Sequence, residues 1–279
     1  MLIDAHCHVL PPDFQNRRSS LLDHDATFAD LFAKPNARMA TATDLLGAMD
    51  RGGVSKAVIM GFGWAGEDVS REANDYLIES ALSYNGQLSA FCSVNPSWGD
   101  AAVMELERCA LAGAVGVGEL HPDSQGFDIT DKGLMAPIMD RARRFGMPVV
   151  VHSSEPVGHQ YPGKGHTTPD RLYRFIENFP DNTIICAHWG GGLPFYALMP
   201  EVPEVIKNVY FDTAVSPFLY GPDVLPTVVG LIGPEKILFG TDYPLIQPKR
   251  LLRYIDEANL EEADKEAILG GNAAKLLGI

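Results

Sequence analysis

Two histidines stand near the start of the chain, in Ile3-Asp4-Ala5-His6-Cys7-His8-Val9. Side chains alternate along a strand with a period of two, so on a strand His6 and His8 point to the same side. Two neutral imidazoles on one face make half of a divalent-metal site. The other half is found where apolar runs end. Val-Gly-Val-Gly leads into Glu119, Val-Val-Val into His152, Ile-Ile-Cys-Ala into His188 and Leu-Phe-Gly-Thr into Asp242. A titratable group after such a run is costly to bury without a partner. Four imidazoles and two carboxylates suit zinc, and also manganese, iron, cobalt or nickel, as one ion or two. Asp4 shares the parity of the histidine pair, and is either a supporting group behind the ligands or a solvated strand start. Gly118, Gly190 and Gly240 give the backbone room beside these residues.

The elements that must position this set alternate regularly. Strands are expected at 2–8, 56–62, 88–94, 114–120, 147–152, 183–188, 208–213 and 236–241. Between them lie helical patterns: one opened by Thr43-Asp44 and stopped near Gly52-Gly53, one at 74–84 closed by Asn85-Gly86, and others at 101–111, 132–145, 170–178 and 224–231. Thr168-Pro169 reads as a cap and first-turn pair. Helices at 249–258, 262–269 and 272–277 end the chain. Residues 10–40 read as a long irregular segment, weakly helical at 28–33, of the kind that serves as a lid or is disordered. Eight strand–helix units in 279 residues predict an α/β fold, a single (β/α)8 TIM barrel over residues 1–279. A barrel of roughly 250 residues puts its catalytic groups at the C-terminal ends of its strands. A doubly wound open sheet would instead carry a glycine-rich phosphate turn after its first strand.

The ordered set of an H-x-H pair, a strand-four acid, strand-five and strand-six histidines and a strand-eight aspartate resembles the amidohydrolase superfamily of metal-dependent barrels. Within it, I-D-A-H-C-H-V, A-H-W-G-G, F-G-T-D-Y-P and the closing G-N-A-A-K-L-L-G-I resemble the amidohydrolase-related branch. That branch includes aminocarboxymuconate semialdehyde decarboxylase and aromatic-acid decarboxylases. The resemblance implies that His6, His8, His152 and Asp242 bind one metal ion. It makes His188 either a ligand of a second ion or a catalytic acid/base. Many two-metal members carry a carboxylated lysine where Glu119 stands. A glutamate there is similar to the TatD-like nucleases, in which it bridges two metals; the alternative is a hydrogen-bonded rim carboxylate beside one ion.

The reaction expected from these parts is hydrolysis of a small ester, lactone or amide. A metal-acidified water would lose its proton to Asp242 while His188 polarises the scissile carbonyl. The alternative is decarboxylation of a small aromatic or enolic acid with the same residues, His188 or a neighbour protonating the carbon. A non-catalytic metal-binding protein is the third class. Softer candidates for substrate contact are His121, His159, Tyr161, His166 and Trp189, with Phe218 and Tyr220 as further wall; Arg17 and Arg18 read as solvated. A net charge of -14 argues against nucleic-acid partners. No run approaches the ~18–20 apolar residues of a membrane span. The four cysteines show no C-x-x-C spacing, and the start of the chain lacks the pattern of a signal peptide. A cytoplasmic enzyme for a small molecule, without membrane partner and as a possible homodimer, is the expectation.

Overall fold

Each of the eight apolar runs forms a strand, and each pairs in parallel with the next. The computed structural model describes residues 1–84 and 86–279; Asn85, expected to help close a helix, lies outside the described residues. The strands are β1 (Ile3–His8), β2 (Lys56–Met60), β3 (Leu88–Cys92), β4 (Gly116–Leu120), β5 (Val149–Val151), β6 (Ile184–Cys186), β7 (Val209–Asp212) and β8 (Ile237–Leu238). Val58, Met60, Phe91, Val150, Ile185 and Leu238 pack together in one cluster, while Ala57, Ile59, Cys92, Val149 and Val151 pack in another with residues of the helices. Both faces of the strands are thus buried, which is why they read as continuous apolar runs. The four cysteines are free and buried.

The sheet curls into a nearly closed barrel whose seam joins β1 to the segment after β8. Ala5 N–H donates to Phe239 O at 2.7 Å, Asp242 N–H to His6 O at 2.9 Å and His8 N–H to Tyr243 O at 2.7 Å. Several strands are shorter than the sequence suggests, β8 most of all. Side chains take over its amides: Gly240 N–H donates to Thr213 Oγ1 at 3.0 Å and Thr241 N–H to Asp4 Oδ1 at 2.9 Å. The ladder stops where these side chains intervene.

The segment after β1 is helical, contrary to the irregular lid expected. It forms Asp13–Asn16, Arg18–His24 and Ala26–Phe32. Helices this short need tertiary support, supplied by a cluster of Phe14, Phe28, Phe32 and Trp64. Asp25 caps the third, accepting from Phe28 N–H at 2.8 Å, and accepts from Gly66 N–H with its other oxygen at 2.8 Å. The following helix, Ala42–Gly52, starts at Thr41 rather than Thr43, through a capping box with Asp44. The expected helix at 262–269 divides into Glu262–Glu266 and a π-type turn, Ala267–Gly271, before Asn272–Leu277. Among the described residues, no helix is long and apolar enough to cross a membrane.

Candidate active site

β1 delivers the two leading histidines inward, but not by simple alternation. Its pairing with β2 is irregular between Asp4 and Cys7. Ile3 and Ala5 pack in the inner cluster and Cys7 in the outer one, so the parity argument fails for Asp4. Its carboxylate accepts from Thr241 Oγ1–H at 2.6 Å, from the Thr241 amide and, at 3.3 Å, from the His6 amide, so it ties the seam and holds the backbone of His6. Burial pushes its carboxyl up to about 6 against these hydrogen bonds.

Glu119, 1% exposed, is the centre of the site. Its Oε1 lies 3.1 Å from His152 Nδ1 and 3.3 Å from His188 Nε2. Its Oε2 lies 3.0 Å from His121 Nε2, 3.4 Å from His8 Nε2 and 3.7 Å from His6 Nε2. Asp242 Oδ1 stands 3.3 Å from His8 Nε2. His188 and Asp242 hold left-handed backbone at φ 54° and 59°, a conformation that costs a non-glycine residue roughly 1–3 kcal/mol. Each amide is anchored, that of His188 on Asp212 Oδ1 at 2.8 Å and that of Asp242 on His6 O.

The ring tautomers show which nitrogens face into the site. His8 Nδ1 lies 3.1 Å from the carbonyl of Gly61, which only accepts, so Nδ1 carries the proton. His6 Nδ1–H likewise donates to Asp212 Oδ2 at 2.8 Å. In the neutral rings the Nε2 atoms of His6 and His8 are both lone pairs, and they face each other at 3.0 Å. Two such atoms at that distance are satisfied by a proton or by a metal ion between them. The surroundings favour positive charge here: burial disfavours charge on His6, but Asp212 and Glu119 outweigh it and hold its pKa well above the ordinary value. His188 is held up to about 9, burial again being overcome by Glu119 and then by Asp242 and Asp212. Glu119 is held well below the carboxylate range; its burial is outweighed by the charge and hydrogen bond of His121 and by bonds from His152 and His188. The donor atoms fall into two groups able to hold an ion, His6-His8-Glu119 and Glu119-His152-His188.

Above the cluster opens a cavity of about 450 Å³. His8, Glu119, His121, His152, His188 and Asp242 line it together with Leu31, Phe32, Phe62, Val215, Phe218, Leu219 and Leu245. Phe62 stacks on His8 with ring centroids 3.9 Å apart, and His121 stacks on His152 at 4.3 Å. His159 and Tyr161 also line the cavity. Two expected contacts are corrected. His166 points away, its side chain 88% exposed, because Asp123 captures both its ring and its amide. Trp189 is no cavity wall: it is fully buried, and its indole N–H donates to Ser216 Oγ at 2.8 Å. The left-handed run from His188 to Gly192 turns it into the core.

Sequence reasoning missed three residues. Asp212 ends β7 after Val-Tyr-Phe, the same polar-after-apolar signal that singled out Glu119. Lys34 and Arg38 line the cavity mouth, Arg38 donating to Pro244 O at 3.1 Å. Arg17 and Arg18 stay outside, one on Asp13 and Glu72, the other on backbone carbonyls.

The family model described as "Amidohydrolase" matches residues 3–279. A 2-amino-3-carboxymuconate-6-semialdehyde decarboxylase from Dictyostelium discoideum is 24% identical, over 99% of this chain and 91% of the relative. Among solved structures, 5-carboxyvanillate decarboxylase from Sphingomonas paucimobilis is similar with a TM-score of 0.82 at 18% identity, covering 100% of this chain and 99% of that one. The corresponding enzyme from Novosphingobium aromaticivorans, complexed with manganese and a nitrobenzoic acid, has a TM-score of 0.80 at 16% identity, with 100% and 96% covered. These relatives are decarboxylases, which overturns the expectation of ester, lactone or amide hydrolysis: the same donors serve either reaction, and the relatives perform the other. The match runs along nearly the whole sequence, and the protein belongs to the amidohydrolase family.

Proposed function

We propose that the protein is a metal-dependent decarboxylase of a small aromatic or enolic carboxylic acid. The observation that carries the metal is the gathering of the buried donor atoms of His6, His8, Glu119, His152 and His188 into two adjoining groups, on the floor of a largely apolar cavity of about 450 Å³. That volume is in the range of small-ligand sites, and the decarboxylase relatives supply the reaction. His6, His8, His152 and Asp242 would hold a divalent ion, zinc or the manganese of the Novosphingobium relative. Glu119 completes the donor set, shared if there are two ions, and His188 is left to carry a proton. Such an ion supplies a Lewis acid for the carboxylate of the substrate and its neighbouring oxygen.

The chain's own groups do the rest. Lys34 and Arg38 at the mouth favour an anion, while Phe62 and Phe218 in the wall offer apolar surface to a flat ring. The apolar walls exclude water, which strengthens every charge interaction on the floor. His188 delivers a proton to the carbon that bears the carboxylate, with Asp242 beside it as second proton carrier. The bond to the carboxylate then breaks, its electron pair returns to the ring or enol, and carbon dioxide leaves.

The test is to assay the purified, metal-analysed protein on a panel of hydroxybenzoic and enolic acids in deuterated water. Carbon dioxide released with one deuterium placed on the product carbon is the expected result. Turnover that consumes water without releasing carbon dioxide refutes the reading.

A further inference from the structure

We propose that Asp212 is a positioning residue for the metal centre: it fixes the ring tautomer that makes His6 a ligand, while pinning the turn that carries His188. This rests on the metal-centre reading and is independent of the reaction. Asp212 is 1% exposed, and three donors converge on its carboxylate. Oδ2 accepts from His6 Nδ1–H at 2.8 Å; Oδ1 accepts from the amides of His188 at 2.8 Å and Ala214 at 3.1 Å.

An ionised carboxylate only accepts, and everything facing it here is an N–H. An imidazole that donates through Nδ1 keeps Nε2 as a lone pair, and it is Nε2 of His6 that looks across at His8. The other tautomer would put a proton where an ion must sit. An amide cannot do both tasks. With its oxygen on the His188 and Ala214 amides, its NH2 meets His6 Nδ1, which must give up its proton to Nε2. With the amide turned round, its NH2 meets two backbone N–H groups. The pair also has little room to escape. A Cβ on Gly240 would lie 2.8 Å from His6 Cβ and 3.4 Å from Asp212 Cβ.

The test is Asp212→Asn, with zinc affinity measured by competition against a chromophoric chelator. Loss of a hydrogen-bond partner behind a ligating histidine typically weakens metal binding about 10–100-fold, and a loss of that size is expected. The substitution is repeated in a His6→Ala background, where it should cost clearly less, since the tautomer no longer matters. An equal loss in both backgrounds would indicate a merely structural role and overturn the proposal, as would unchanged affinity in the single variant. Wild-type protein that binds neither zinc nor manganese would refute the metal centre itself and the positioning role with it. Should Asp212→Asn fail to fold, nitrogen-15 spectra of histidine-labelled, zinc-loaded wild type decide: a proton on His6 Nδ1 supports the assignment, and one on Nε2 refutes it.

Discussion

Gly240→Ala isolates the steric requirement behind the site. Gly240 sits on the seam between β8 and β1, and an added Cβ would lie 2.8 Å from His6 Cβ. Neither atom can rotate away, because each is fixed to its own backbone, so the strands must part. Overpacking of this kind costs about 1–3 kcal/mol. For a chain of this size, about 2 °C of melting temperature corresponds to each kcal/mol, so a fall of about 2–6 °C follows. The displacement also falls on His6, and metal affinity should drop with stability. Gly230→Ala provides the opposite case. It lies within the helix Val224–Ile232, and an added Cβ there meets nothing within 4 Å. The same chemical change should stabilise by about 0.4–1 kcal/mol through the unfolded chain. Calorimetric melts of both variants, in chelator and in excess zinc, check the pair. If Gly240→Ala melts like wild type and binds zinc as tightly, the close approach at the seam is not what holds His6 in place.

Two further outcomes follow from particular contacts. Arg38→Ala should raise KM for an acid substrate while leaving kcat little changed, because Arg38 lines the mouth and not the floor; steady-state kinetics would show otherwise by a fall in kcat alone. Glu105 accepts from Arg108 at 2.7 and 2.8 Å and from Asn74 at 2.8 Å. Its burial works upward, but these bonds outweigh it and hold its pKa below the ordinary 4.5. Its folded value lying below its unfolded one, its contribution is present above 4.5 and fades as pH falls through the lower folded value. The stability gap between wild type and Glu105→Gln should therefore narrow in acid, and denaturant titrations showing the same gap there and at neutral pH would contradict this.

The floor of the site was legible because its residues obey a local rule. Glu119, His152, His188 and Asp242 each follow an apolar run, and a parallel barrel brings such positions to one rim. Asp212 obeys the same rule, but its role depends on His6, 206 positions away, and no local pattern carries that information. The segment after β1 hid its helices because they are held by Phe14, Phe28 and Trp64 across elements, not by their own length. Trp189 looked like cavity wall from its place after His188; the left-handed turn, which residue types alone do not specify, sends it inward. The reaction was read wrongly for a chemical reason. Hydrolysis and decarboxylation ask for the same imidazoles and carboxylates, and they differ in what enters the cavity above them.

The closure of the barrel has one more consequence. His6 and His8 lie on one lip of the seam and Asp242 on the other, stitched by amides from Ala5 to Tyr243. During synthesis His6 and His8 emerge early, more than 200 residues before Asp242. The site is therefore complete only when the final stave meets the first, and an ion held as proposed would rivet the two together. Metal in the growth medium should accordingly govern how much intact protein a cell retains, and not only how fast that protein works.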